Sequence, residues 1–251
     1  MKTKYEKSIR LQMLVTHRCS ARCEFCDKAV GYAKLPQIEM TEEDSRKAVD
    51  ELLVQNIVVR RLTISGGEPC LNRELQGIVN QVARLNCNIR VLTAGQPITE
   101  HLRNKIVFPS RHFEWVISPL DDPLNPKSGK NNRKKKRFHR PYWISPSDIG
   151  LEATWEKCEH RGWCGKGLDN NGWSMCGQAP ILGPILGIDP YLPLVNGDVF
   201  KHVNTAMNEI CKHCQYGLNK KERNGIYKEF DKGKLPPISE TFKNAFSGKK
   251  K

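Results

Sequence analysis

The chain has 251 residues and a mass of 28.7 kDa, which suits one large domain with an appendage. Its 38% hydrophobic and 27% charged residues support a buried core and exclude a disordered tail. The net charge of +14 is concentrated: residues 127–140 hold eight basic side chains and no acid, residues 220–251 hold ten against four, and the remainder is neutral. No stretch reaches the ~20 apolar residues of a membrane span. The longest candidate, 179–188, is broken by Pro180, Gly183, Pro184 and Gly187. No apolar segment follows the first lysines, so a cytoplasmic location without signal peptide or membrane contact is expected.

Residues 8–16 alternate polar and apolar and predict a strand, followed directly by a cysteine-bearing loop. Thr41 with Glu42, Glu43 and Asp44 predicts a capped helix start, and Ala48, Val49, Leu52 and Leu53 its buried face. Residues 57–65 form a β-branched strand ending in Gly66-Gly67. Residues 73–85 carry a helical stripe of Leu75, Ile78, Val79, Val82 and Leu85. A strand over 88–94, a short helix over 97–105 and a strand over 113–118 follow, and 142–145 reads as one more short strand. Strands alternating with helical crossovers predict a parallel α/β sheet, a partial or abbreviated (β/α) barrel whose active site sits at the strand C-termini. From Trp155 the periodicity fades into an irregular cysteine-rich metal-binding extension, and 220–251 reads as a basic, poorly patterned tail. The expected domains are a core over 1–150, a cysteine-rich region over 151–219 and the tail over 220–251.

Ten cysteines without an export signal argue for metal binding rather than disulfides. Cys19, Cys23 and Cys26 form C-x3-C-x2-C on the loop after the first strand. Three thiolates can each take one iron of a [4Fe–4S] cluster and leave the fourth open to an external ligand. A zinc site of these three cysteines with His17 is the alternative.

The run CSARCEFC over 19–26, with Phe25 before the third cysteine, and SGGEP over 65–69 resemble the radical S-adenosylmethionine (SAM) superfamily. The resemblance covers about residues 8–122. It implies that Cys19, Cys23 and Cys26 hold a [4Fe–4S] cluster whose free iron chelates SAM, with Phe25 against the adenine. Gly66, Gly67, Glu68 and Pro69 would hold the methionyl amino group. Reductive cleavage of SAM would give a 5′-deoxyadenosyl radical that abstracts a substrate hydrogen, with an external donor such as a flavodoxin or ferredoxin supplying the electron. Thr93 and Ser118, at the ends of the third and fourth strands, correspond to contacts with SAM's ribose or carboxylate, or else are strand-end hydroxyls that satisfy backbone. Asp121 and Asp122 either touch substrate or form a turn. The two further βα units of a complete barrel are not recognisable before Cys158.

Cys164, Cys176, Cys211 and Cys214 supply four ligands in two pairs, with Cys158 a possible fifth thiol. This arrangement resembles the single-cluster auxiliary extensions (SPASM or Twitch type) of radical SAM enzymes and implies a second [4Fe–4S] cluster, zinc being the alternative. Cys70 and Cys87 are expected to be structural. Trp143, Trp155, Trp163 and Trp173 are expected around the cysteines, as a shield or as stacking surfaces. The basic segments 127–140 and 220–251 either grip phosphates or are solvated. The leading reading is a radical SAM enzyme modifying a nucleic acid, nucleotide or base. A peptide-modifying maturase and a non-catalytic, metal-stabilised nucleic-acid-binding protein are the alternatives.

Overall fold

The computed structural model describes residues 8–20, 26, 28–30, 35–95, 97–117, 143–158, 165–192 and 205–246. Apolar alternation makes Ser8–Leu14 the first strand, β1. Helix α1, Glu42–Val54, opens on a complete capping box: Thr41 accepts from the Asp44 amide, and the Asp44 carboxylate accepts from the Thr41 amide. Strand β2, Val58–Ser65, helix α2, Leu75–Ala83, and strand β3, Asn88–Thr93, follow. Helix α3, Pro97–Arg103, leads into β4, Phe113–Ile117. All four strands run parallel in the order β4-β3-β2-β1.

Helices α1 and α2 cover one face of this sheet. Ala48, Val49 and Leu52 of α1, with Ile78, Val79 and Val82 of α2, pack on Leu11, Met13, Leu62, Ile64, Ile89 and Val91. Each such buried aliphatic contributes about 1.5–3 kcal/mol. Leu53 is an exception to the expected stripe: it is exposed, and Ser45 takes a place on the buried side.

The sheet continues where periodicity failed. Strand β5, Lys166–Asp169, lies parallel against the free side of β1, and β6, Gly172–Ser174, and β7, Tyr191–Leu192, extend it antiparallel. The result is one open, mostly parallel seven-stranded sheet of order β4-β3-β2-β1-β5-β6-β7, as expected for a partial barrel. Strands of two to four residues are too short to show alternation. The apolar run near Ala179 is a buried helix, α4, Ala179–Leu186, with Pro180 in its first turn. No helix among the described residues is long and apolar enough to cross a membrane.

Helix α5, Thr205–Lys212, carries Cys211. In place of an unpatterned tail the chain forms α6, Lys220–Asp231, capped reciprocally by Asn219 and Glu222, and α7, Glu240–Phe246. The expected strand at 142–145 is also corrected: Trp143–Ser145 is not extended. The Trp143 carbonyl accepts from the Ser239 amide, and the Ser145 amide donates to Ser239 Oγ, so this segment braces the start of α7. A second core joins Leu14, Ile38, Trp143, Met175, Leu182, Met207, Ile210 and Phe242.

At the C-terminal end of β5, Asp169 is buried. It accepts from the Asn171 amide (2.7 Å) and the Tyr191 hydroxyl (2.8 Å). Burial pushes its carboxyl up to about 6 despite these bonds. A raised carboxyl favours the protonated folded state, so stability falls as pH rises from about 4 through about 6 and is level above. Asp169→Asn keeps the Oδ1 acceptor and removes the charge. We expect it to flatten the dependence of the urea midpoint between pH 4 and 7, with a gain at pH 7 of up to about 3 kcal/mol.

Candidate active site

The ends of β1 and β2 are tied backbone to backbone. The Val15 amide donates to the Ser65 carbonyl at 2.9 Å, the Gly67 amide to the Thr16 carbonyl at 2.7 Å and the Glu68 amide to the Arg18 carbonyl at 2.7 Å. This approach requires glycine. Gly66 has φ +145°, and a Cβ there would lie 2.3 Å from the Thr16 carbonyl oxygen. A Cβ on Gly67 would lie 2.1 Å from the Arg18 oxygen and 3.1 Å from Cys19 Cβ. The glycines therefore press the second loop onto the first, and Gly67 comes to rest beside Cys19.

Glu68 is fully buried and caps the single 3-10 turn Pro69–Leu71. Its Oε1 accepts from the Cys70 amide (3.2 Å), and its Oε2 from Thr93 Oγ1 and the Ala94 amide (both 2.9 Å). The carboxylate thus ties the β2 loop to the end of β3 instead of facing open space, and the Thr93 hydroxyl is committed to it. Asn72 completes the brace, donating to the Val15 and Met40 carbonyls at 2.7 and 2.8 Å. Cys70 and Cys87 are buried, with thiols pushed up by burial to about 12 and about 11, as inert structural thiols should be.

Cys19 and Cys26 are half-buried on the loop after β1. The Cys26 carbonyl accepts from the Ala29 amide and from the Trp143 indole, each at 3.1 Å. His17 is buried with Nδ1 2.8 Å from the Pro36 carbonyl; burial lowers its pKa and keeps it neutral. Cys23, Phe25, Ser118, Asp121, Asp122, Trp163, Cys164 and the segment 127–140 lie outside the described residues. Cys19, beside the glycine-pinned backbone, and Cys26 offer the thiolate donors that an iron–sulfur cluster takes.

A second grouping lies in the other core. Cys158, Cys176, Cys211 and Cys214 line one cavity with Trp155, Gln178 and other side chains. Cys158 therefore joins the three expected partners. Burial raises the pKa values of Cys176, Cys211 and Cys214, and for Cys211 and Cys214 the other thiolates add to the rise. Such thiols stay protonated until a metal takes the charge. Among the described residues no three His, Cys, Asp or Glu side chains are grouped so as to hold a metal ion. Trp155 and Trp143 sit in this core, whereas Trp173 packs in the first core and donates to Glu51 Oε2 at 3.2 Å, a correction to its expected place.

Two lysines near the quartet gave no signal in the sequence. Lys28 is 4% exposed, and Lys166, half-buried, places Nζ 5.7 Å above the Trp155 ring and 3.8 Å from Met175 Sδ. Both ammonium groups act electrostatically on Cys176. On the surface, Lys220, Lys221, Asn224, Gly225 and Lys228 of α6 line an open hollow of about 550 Å³.

Residues 13–106 match the Radical SAM superfamily. A GTP 3′,8-cyclase of Staphylococcus epidermidis is 28% identical over 130 residues, 49% of this chain and 38% of that protein. A PqqA peptide cyclase of Bradyrhizobium diazoefficiens is 22% identical over 142 residues, 56% of this chain and 37% of that protein. The matched part of the chain thus spans under two fifths of these curated relatives. Among solved structures, BtrN in complex with AdoMet and 2-DOIA aligns with a TM-score of 0.45 at 13% identity, over 85% of this chain and 94% of that one. Streptococcus suis SuiB bound to its precursor peptide SuiA aligns with a TM-score of 0.37 at 17% identity, over 45% and 24%.

Proposed function

We propose, for a chain whose residues 13–106 match the Radical SAM superfamily, an enzyme of that superfamily in which Cys19, Cys23 and Cys26 hold a [4Fe–4S] cluster. When bound, the cluster and SAM supply reductive cleavage to methionine and a 5′-deoxyadenosyl radical, which takes a hydrogen atom from the substrate. The protein's own part is positional. The observation that carries this reading is the contact of Gly67 with Cys19, which sets the glycine loop beside the cysteine loop at the strand C-termini. Glu68 acts from beneath as a positioning residue, fixing that loop against β3. A flavodoxin or ferredoxin is the electron donor.

In the same reading Cys158, Cys176, Cys211 and Cys214 hold a second [4Fe–4S] cluster. Four thiols lining one cavity can supply one ligand to each iron of such a centre. The substrate is a nucleotide, base or nucleic acid. Support comes from a relative that acts on GTP, from the lysine-lined hollow of α6 and from the basic segment 127–140.

The test is release of 5′-deoxyadenosine by anaerobically reconstituted protein with SAM and a strong reductant, with and without nucleotides and nucleic acid. Release stimulated by either supports the reading. Release that only peptides stimulate moves the substrate to the peptide class. No release at all removes the enzyme assignment.

A further inference from the structure

A metal centre held by four thiolates is a net anion, and an anion removed from water is costly unless cations accompany it. Two lysines from distant parts of the sequence act electrostatically on Cys176: Lys28, just after the cysteine triad, and Lys166, at the start of β5. Lys166 is held in place by its neighbours. Its Nζ lies over the ring of Trp155, which itself lines the Cys158, Cys176, Cys211 and Cys214 cavity, and beside the sulfur of Met175. Anionic metal-bound thiolate would stabilise the same cation that stabilises it.

We propose that Lys166, assisted by Lys28, is the counter-charge of the auxiliary cluster and sets its reduction potential. This rests on the reading that the quartet holds a [4Fe–4S] cluster. Reduction adds negative charge to the centre, and a nearby fixed cation favours the reduced form, so it raises the potential. A lysine directed at the outer ligands is a positioning residue, and its effect is read in the potential itself.

The experiment uses the full chain with Cys19, Cys23 and Cys26 changed to Ala, so that only the auxiliary centre reports. Iron is counted, and the midpoint is measured by EPR-monitored titration for this background and for Lys166→Met and Lys166→Arg within it. The expected result is unchanged iron and a tenfold weaker reduction equilibrium in Lys166→Met, a shift of about 59 mV to lower potential for one electron. Lys166→Arg should stay near the background. Iron lost from the Met variant, with secondary structure retained and iron restored by Arg, also supports the counter-charge. An unshifted midpoint with full iron in Lys166→Met overturns the proposal, as does equal loss of iron in both variants, which would mean that shape rather than charge is at stake. Zinc or no metal in the background overturns the cluster reading, a failure visible before any lysine is changed.

Discussion

Changing Cys19, Cys23 and Cys26 to Ala should reduce 5′-deoxyadenosine release to background while the protein stays folded. Neither Cys19 nor Cys26 belongs to the two large cores, and backbone carbonyls anchor their surroundings: that of Arg18 accepts from the Glu68 amide and that of Cys26 from the indole of Trp143. The unfolding midpoint should therefore move little. Iron should fall by about four per chain, one cluster's worth, and with the second cluster proposed above about four should remain. Iron analysis and chromatographic detection of 5′-deoxyadenosine check both arms. Cleavage that survives in the variant rejects the triad as the SAM-binding centre.

The second large effect is on stability. Glu68→Ala should destabilise the protein by about 3–5 kcal/mol, because it strands several buried donors and each unsatisfied group costs about 1–3 kcal/mol. That is a large share of a typical domain stability of about 5–15 kcal/mol. Three donors lose their acceptor together: the Cys70 amide, the Thr93 hydroxyl and the Ala94 amide. Glu68→Gln should cost less, about 1–3 kcal/mol. Its amide oxygen can replace Oε2 opposite Ala94 and Thr93, but its NH2 then faces the Cys70 amide, donor against donor. Urea unfolding of the two variants gives both values. If Ala and Gln cost the same small amount, the carboxylate is not the tie between β2 and β3 that its bonds describe.

The parallel half of the sheet was readable because its elements are long and regular. Alternation over Ser8–Leu14 and Val58–Ser65, the Thr41 capping box and the Leu75, Ile78, Val79, Val82 stripe each bring a strong local preference that agrees with the final packing. The second half was not. Strands β5 and β6 contain three glycines' worth of departures from pattern at Gly167, Gly172 and the adjoining Gly165, and they hold their places through pairing with β1 and with each other. That is long-range information absent from local sequence. Helices α6 and α7 were hidden by lysines whose exposed positions say nothing about period, although Asn219 and Glu222 form a capping signal at the expected spacing.

The candidate site divides in the same way. Motif residues Cys19, Cys26, Gly66, Gly67 and Glu68 were legible from type and spacing, and so was the gathering of Cys176, Cys211 and Cys214. The bonds of Glu68 to Thr93 and Ala94 were not, because a motif specifies the residue and not the direction of its carboxylate. Trp173 could not be assigned to a core from its proximity in sequence to Cys176. Lys28 and Lys166 were invisible for a general reason: a lysine in a basic chain is assumed to lie in solvent.

Trp143 joins parts of the chain made at very different times. Its indole bonds the Cys26 carbonyl while its ring meets Phe242 and Phe246 edge-on in the last helix. A ribosome adding about 5–20 residues per second needs roughly 10–40 s to travel from the first of these partners to the last. For about the first half of that interval Cys26 lacks the indole, and throughout it the helix that carries Phe242 and Phe246 is incomplete. Biogenesis of the iron centre thus has a natural window during synthesis, when the thiols are reachable by a scaffold that delivers iron and equally by oxygen. Strict anaerobiosis should then matter more while the polypeptide is being made than after its final helix has docked.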